Sequence, residues 1–401
     1  MKTRRRLAIA ALAILTAVGG RIAFSQDSVI EIGAILPLTG AGAAYGPGMQ
    51  LAMQIAVDEV NAAGGRQFRL RAEDDATNPD QGVRAAHKLI DVNKVKAIVG
   101  TWASSVTLAV APLTQEADIV EMNVSGSPKL STLEPVGQRT VFRVNATDEA
   151  LAETVAKALY KQGTKSVTIL ANNAAGTIGL GESFKDSFTK AGGKILATVV
   201  YPDKQSSYKT EVGQALVTKP DLYLLSCYTP DGIVVIKEAY QGGAKAKFAM
   251  PAWCLNDQLI SGVGANVVEG AIAFDLVAVT NSKAYERLNA AYKAKTGKEA
   301  FDNVYAVHVY DAIHLLALAF QKTGTTTRLA VGKALIEVSN PPGQEVTSFK
   351  EGLPILQQGK PVHYVGASGP IKFDEHGDMA PNVGMFTVEK GKLILKTVVA
   401  D

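Results

Sequence analysis

The sequence predicts an α/β protein of two Rossmann-like lobes with parallel-rich sheets, hinged by several crossovers between the lobes. Three observations lead there. Strand and helix patterns alternate through residues 29–274, the alternation restarts near Asn145, and no low-complexity linker divides the chain. Repeated βα units imply mostly parallel sheets covered on both faces. At 401 residues the chain also exceeds what a single core usually supports. With 47% hydrophobic residues it has enough to build two.

The elements follow in order. Lys2, Arg4, Arg5 and Arg6 open the chain, residues 7–18 are almost wholly apolar, and small residues lead to Ala23-Phe24-Ser25. That is the layout of a secretory signal peptide, expected over residues 1–25. Its apolar run of about 12 residues is too short for a membrane anchor, which takes about 20. Residues 29–36 form an apolar strand ended by Pro37. Residues 48–63 carry Met53, Val57 and Val60 at helical spacing and stop at Gly64-Gly65. Strands at 68–72, 95–99 and 119–122 then alternate with helices at 81–92 and 105–117.

In the second half, helices fall at 149–161, 180–191 and 233–240. Strands fall at 166–170, 195–200, 222–226, 248–250 and 271–274. The rhythm then breaks, because 282–295, 304–321 and 327–338 read as three helices with no strand between them. Ile313, Leu316, Ala317 and Phe320 make an apolar stripe at helical spacing. The tail over 371–399 reads as β-hairpins, with turn chemistry in Asp374-Glu375-His376-Gly377-Asp378. If the late helices return to the first lobe, the chain crosses several times and makes a hinge. Lobe one is expected over 27–145 and 278–352, lobe two over 146–277 and 353–401.

Charge and motifs exclude several functions. The formal net charge is +3, but residues 1–25 hold five basic residues and no acid, so the remainder carries −2. No basic tract or aromatic-basic motif points to nucleic acid. His87, His308, His314, His363 and His376 form no i, i+4 metal pair, and no Cys/His cluster exists. Neither a G-x-S-x-G elbow nor a P-loop is present. No catalytic residue, metal or cofactor is expected. Gly40-Ala41-Gly42-Ala43-Ala44-Tyr45-Gly46, followed later by Asp74-Asp75, imitates a dinucleotide fingerprint. Tyr45, however, stands where a close phosphate approach needs little side chain. Cys227 and Cys254 both lie just past expected strands. A disulfide and two buried thiols both fit that placement.

The turn after the 95–99 strand is the main candidate site. In Gly100-Thr101-Trp102-Ala103-Ser104-Ser105, Ser104 stands where a helix N-cap would stand. Its hydroxyl and the free N–H groups of the first turn suit an anion. The next strand end offers Ser125, Gly126 and Ser127. Both turns lie at the carboxyl ends of parallel strands, where open α/β sheets bind ligands.

These residues also carry a resemblance. The run from Ile32-Gly33 through Pro37-Leu38-Thr39-Gly40, then Tyr45-Gly46, Val57 to Gly65, Asp74-Asp75, Asn78-Pro79, Val99-Gly100 with Ser104-Ser105, Arg143 to Asp148, and Gly369 to Asp374 resembles the periplasmic leucine/isoleucine/valine-binding protein family. These are the solute receptors of branched-chain amino-acid-type ABC importers, of type I periplasmic binding fold. The resemblance covers essentially the whole chain after residue 25. It implies a periplasmic monomer that closes two lobes on a small carboxylate and presents it to the permease subunits of an ABC transporter. It implies a carboxylate held by Ser104, by N–H groups of the Ala103-Ser104 turn and by the Ser125, Gly126, Ser127 turn. It also implies aromatic contacts from Tyr45 and Tyr228, and an amino group met by Asp148. The N-cap of the 149–161 helix is an equally good reading of Asp148.

The departures bear on the ligand. The family places a Glu against the ligand ammonium where this chain has Ala252, and an aromatic where this chain has Ile178. Trp102 and Trp253 either pack the hinge or offer flat apolar surface to a ring or branched chain. The expected ligand is therefore a small carboxylate with an apolar or aromatic body. A branched-chain or other hydrophobic amino acid is the close alternative. A sensor of the same fold, signalling to a regulatory partner without transport, is the alternative role.

Overall fold

The computed structural model describes residues 29–380 and 382–400; the expected signal peptide lies outside the described residues. Five parallel strands form one sheet in the order β2-β1-β3-β4-β5: β1 (Ile30–Leu36), β2 (Phe68–Asp74), β3 (Ala97–Gly100), β4 (Val120–Asn123) and β5 (Val141–Arg143). Strands β3 and β4 are buried along their whole length, as a sheet covered on both faces requires. Helices α1 (Gly46–Ala62), α2 (Pro79–His87) and α3 (Ser104–Glu116) connect them.

The second sheet has seven strands. It contains β6 (Ser166–Asn172), β7 (Lys194–Tyr201), β8 (Leu222–Ser226), β9 (Lys247–Pro251), β10 (Ile272–Leu276), β13 (Asn382–Glu389) and β14 (Lys392–Ala400) in the order β14-β13-β10-β9-β8-β6-β7. Among the described residues, only its β10–β13 and β13–β14 pairs are antiparallel. Helices α4 (Asp148–Lys161), α5 (Ala175–Lys190), α6 (Lys209–Leu216), α7 (Thr229–Gln241) and α8 (Asp257–Val263) belong to this half.

The late helices pack on the first sheet. These are α9 (Lys283–Thr296), α10 (Val304–Thr323), α11 (Arg328–Ser339) and α12 (Phe349–Gln357). Helix α10 packs on α1 and β3, and α11 on β4. Helix α10 is long and apolar enough to cross a membrane, yet 94% of its apolar window is buried in the protein. Its His308 and His314 are core residues.

One boundary differs from the sequence expectation. Residues 353–380 do not join the second half. Helix α12 packs on α10, and β11 (Gln344–Val346) pairs with β12 (Val362–Tyr364) beside α11. The cause is the buried Asp311 of α10, whose carboxylate collects the Tyr364 hydroxyl, the Ala367 N–H and both the N–H and hydroxyl of Ser368. A buried carboxylate without such donors is costly. The chain therefore reaches the second sheet only at β13. Among the described residues, the tail contains one hairpin, β13–β14, rather than several.

Candidate functional site

The site grows from the end of β3. Gly100 has φ +106°, and a Cβ there would overlap the Ile35 carbonyl oxygen. Thr101 follows at φ +55°. These two residues swing the chain out of the sheet, and α3 starts three residues later. Ser104 is already the first helical residue, with Ala103 in the cap position, so the expected Ser104 cap is not formed. The Ala103 carbonyl instead takes the N–H groups of Val106 and Thr107. Among the described residues, the N–H groups of Ser104 and Ser105 have no acceptor. A helix start with free N–H groups is suited to an anion.

The two serines of the neighbouring turn serve the frame rather than the cleft. Ser125 directs its hydroxyl at Thr107 Oγ1 and at the Thr101 and Trp102 carbonyls. Ser127 donates its N–H to Ser104 Oγ at 3.1 Å, and its own hydroxyl accepts from the Lys129 N–H. Neither lines the open space, whereas Gly126 between them does. Tyr45 is also set back. Its ring stacks on Trp102 at 5.5 Å between centroids, and its hydroxyl donates to the Ala252 carbonyl across the cleft at 3.2 Å.

The cleft itself holds about 370 Å³, including its mouth. One side is Trp102, Ala103, Ser104, Val124 and Gly126, with Tyr305 from α10. The other is Gly176, Thr177, Tyr228 and Trp253, and Asn145 and Asp148 stand at the crossover. Asp148 does not cap α4, because the Thr147 hydroxyl does so by accepting from the Ala150 N–H. The Asp148 carboxyl is free to face the site. Its Oδ2 is buried without a hydrogen-bond partner among the described residues. Burial pushes this carboxyl up to about 7, opposed by the nearby Arg143 charge. Asp275, at the end of β10, is likewise pushed up to about 7 by burial, and the Tyr305 hydroxyl beside it works the other way.

The rings form a continuous wall. Trp102 lies 5.6 Å from Tyr228 and 5.9 Å from Tyr305 between centroids. Tyr228 and Trp253 stand on loops joined by a disulfide between Cys227 and Cys254, with a Cα–Cα distance of 5.6 Å. That settles the question left open by the sequence.

Seven of the ten residues singled out from the sequence line the cleft: Trp102, Ala103, Ser104, Gly126, Asp148, Tyr228 and Trp253. Val124, Asn145, Gly176, Thr177 and Tyr305 were missed. Gly176 and Thr177 begin α5 after β6, so the strand-end rule that found Ser104 also points to them. Tyr305 carries no local signal, since nothing distinguishes it from the other apolar faces of α10. Ile178, where the resemblance led to an aromatic, is not among the lining residues.

The look-alike of a dinucleotide fingerprint is a packed turn. Gly40–Gly42 is a short 3-10 segment, and Tyr45 is buried among aromatic rings. No cluster of three His, Cys, Asp or Glu among the described residues is placed to hold a metal ion.

Parallel sheets on either side of an aromatic-walled cleft, with a helix start aimed into it, define a protein built to hold a small molecule. The chain belongs to the periplasmic binding protein family, whose profile matches residues 29–391. It is a solute-binding protein and not an enzyme. A Leu/Ile/Val-binding protein homologue of Brucella melitensis is 26% identical over 378 residues, covering 91% of this chain and 93% of the relative. The leucine-binding protein of Thermotoga maritima superposes with a TM-score of 0.80 at 24% identity, covering 93% of this chain and 99% of that one. A solute-binding protein of an ABC transporter from Rhodopseudomonas palustris, solved with 3,4-dihydroxybenzoic acid, gives 0.72 at 25% identity, covering 93% and 96%.

Proposed function

We propose that this protein is an extracytoplasmic receptor of an ABC importer that captures a small carboxylate with an apolar or aromatic body. Lobe one comprises β1 to β5 with α9 to β12, and lobe two comprises α4 to β10 with β13 and β14. The carboxylate docks on the free N–H groups at Ser104 and Ser105 and on the Ser104 hydroxyl. Lobe two then closes with Tyr228 and Trp253, a hinge motion familiar among periplasmic binding proteins. Closure is favoured only by contacts the ligand makes to both lobes together. The permease of the transporter then receives the closed form. The Cys227–Cys254 disulfide accords with an oxidising compartment outside the cytoplasm.

The observation that carries the ligand reading is the pairing, in one cleft, of a helix start with an unpartnered buried oxygen of Asp148. A carboxylate suits the first and an amine the second. That favours an apolar α-amino acid. A second reading is an aromatic acid without an amine. It is supported by Ala252, whose carbonyl is already taken by Tyr45 and whose side chain offers no charge.

Calorimetry with L-leucine, 4-methylpentanoate and 3,4-dihydroxybenzoate separates the two. An amine bonded to Asp148 makes leucine tighter than 4-methylpentanoate by about one to two powers of ten, the value of a charge-assisted bond. Equal or weaker leucine binding selects the aromatic-acid reading. Absence of binding by all three, with no thermal stabilisation, removes the carboxylate reading itself.

A further inference from the structure

The two rings that lobe two offers to the cleft stand on separate loops. Tyr228 follows β8 and Trp253 follows β9. Loops are the more mobile parts of a fold, and rings on two of them are not fixed relative to each other by the sheet alone. Cys227 immediately precedes Tyr228, Cys254 immediately follows Trp253, and the two are bonded. Both cysteines are fully buried. Helix α7 packs directly behind them through Gly232, where a Cβ would collide with Cys254 Sγ.

Polar ties run alongside the covalent one. The Thr229 hydroxyl donates to the Trp253 carbonyl at 3.0 Å, and Asn256 Nδ2 donates to the Thr229 hydroxyl at 2.8 Å. The same loop also meets lobe one. Ala252 supplies the carbonyl that Tyr45 reaches, and Asn256 Nδ2 approaches the Tyr45 hydroxyl at 3.4 Å. One loop thus holds a ring for the ligand and an acceptor for the opposite lobe.

We propose that the Cys227–Cys254 disulfide is a positioning element of the binding site. It locks Tyr228 and Trp253 into one wall and holds the Ala252 carbonyl where Tyr45 meets it on closure. The proposal rests on the reading of the cleft as a ligand site. It differs from the ordinary role of a disulfide. A staple that acts on the unfolded chain changes stability and leaves the folded wall as it was. A positioning link changes the wall within the folded protein, and so lowers the ordering cost of binding.

The chain has two tryptophans, Trp102 and Trp253. In a Trp102→Phe background, Trp253 alone fluoresces, and acrylamide quenching of the ligand-free protein reports its freedom. Removing the bond by Cys227→Ser with Cys254→Ser should raise the quenching constant roughly threefold while the fold, read by circular dichroism, is kept. In the protein with both tryptophans, the same change should speed dissociation of L-leucine or 3,4-dihydroxybenzoate, whichever binds the intact protein, by about tenfold. If the serines prevent folding, Cys227→Ala with Cys254→Ala decides, since it buries no polar group. Unchanged quenching and dissociation alongside a lower melting temperature would overturn the proposal and leave only a staple. If neither probe binds the intact protein, the ligand reading fails, while the quenching experiment still decides the disulfide's role.

Discussion

The two faces of the cleft are held in place by different means. On the lobe-one face, hydrogen bonds do the work. Thr101 Oγ1 donates to Glu121 Oε1 at 3.1 Å, Thr107 Oγ1 donates to Thr101 Oγ1 at 3.0 Å, and Ser125 Oγ donates to the Thr101 carbonyl at 3.1 Å. Glu121 is completely buried, which pushes its carboxyl up to about 8. Arg143, bonded to Asp378 and to the Ser127 carbonyl, fixes the turn from the far side. On the lobe-two face, two loops bearing rings are joined by one covalent bond and a short chain of hydroxyl and amide contacts. Directional donors lose strength quickly when misaimed. An apolar wall needs only shape. The comparison teaches that one face of the cleft is set by directional polar contacts and the other by covalently joined rings.

The strongest way to break this comparison is to crowd the lobe-one face. A Cβ at Gly126 would overlap the Asp148 carboxylate. Gly126→Ala should weaken any ligand at least about a hundredfold, a loss near 2.7 kcal/mol by calorimetry. Retained affinity would place the ligand away from this turn.

Next comes Asp148. Its carboxyl is pushed up to about 7 by burial, so the folded protein holds this proton more tightly than the unfolded chain. Its contribution to stability is full below the ordinary carboxylate range and is lost as pH rises through about 7. Asp275 acts in the same direction, so Asp148→Asn should flatten the fall in melting temperature between pH 5 and 8 only in part. For an amine-bearing ligand, affinity should rise as pH passes through this range and the carboxyl ionises. For an acid without an amine it should fall. A pH-independent affinity would mean that Asp148 does not meet the ligand.

Smaller effects sharpen the picture. Ser104→Ala removes a hydroxyl from the cleft and the acceptor of the Ser127 N–H. It should cost about 1–2 kcal/mol in carboxylate affinity, and less for a ligand without a carboxylate. Tyr45→Phe keeps the stacked ring and deletes the hydroxyl's contacts with the Ala252 carbonyl and Asn256 Nδ2. It should weaken binding by about 0.5–1.5 kcal/mol, mainly through faster dissociation in stopped-flow measurements. An unchanged rate would show that this contact plays no part in holding the lobes together.

Much of the frame was legible in advance. The βα rhythm, the strand-free run of late helices and the turn at Ser104 all depend on residues close in sequence. The failures share a different character. Ser125 and Ser127 looked like ligand groups because turn chemistry does not say which way a hydroxyl faces; Thr107 and Ser104, from another turn, decided that. Asp148 had two equal readings, a cap or a ligand group, and Thr147 took the cap and left the carboxyl to the cleft.

By itself, the sequence determined the two parallel-rich halves, the strand ends that border the cleft and the family resemblance. Periodicity, glycines at forced turns and helix starts are local properties, and local energetics set them. Only the tertiary structure decided that Cys227 meets Cys254, that Tyr305 joins the cleft, and that residues 353–380 stay with lobe one. Each of these depends on partners far along the chain. The physical reason is that buried polar groups and rings must find complements wherever the packed fold supplies them, and no nearby residue announces where that will be.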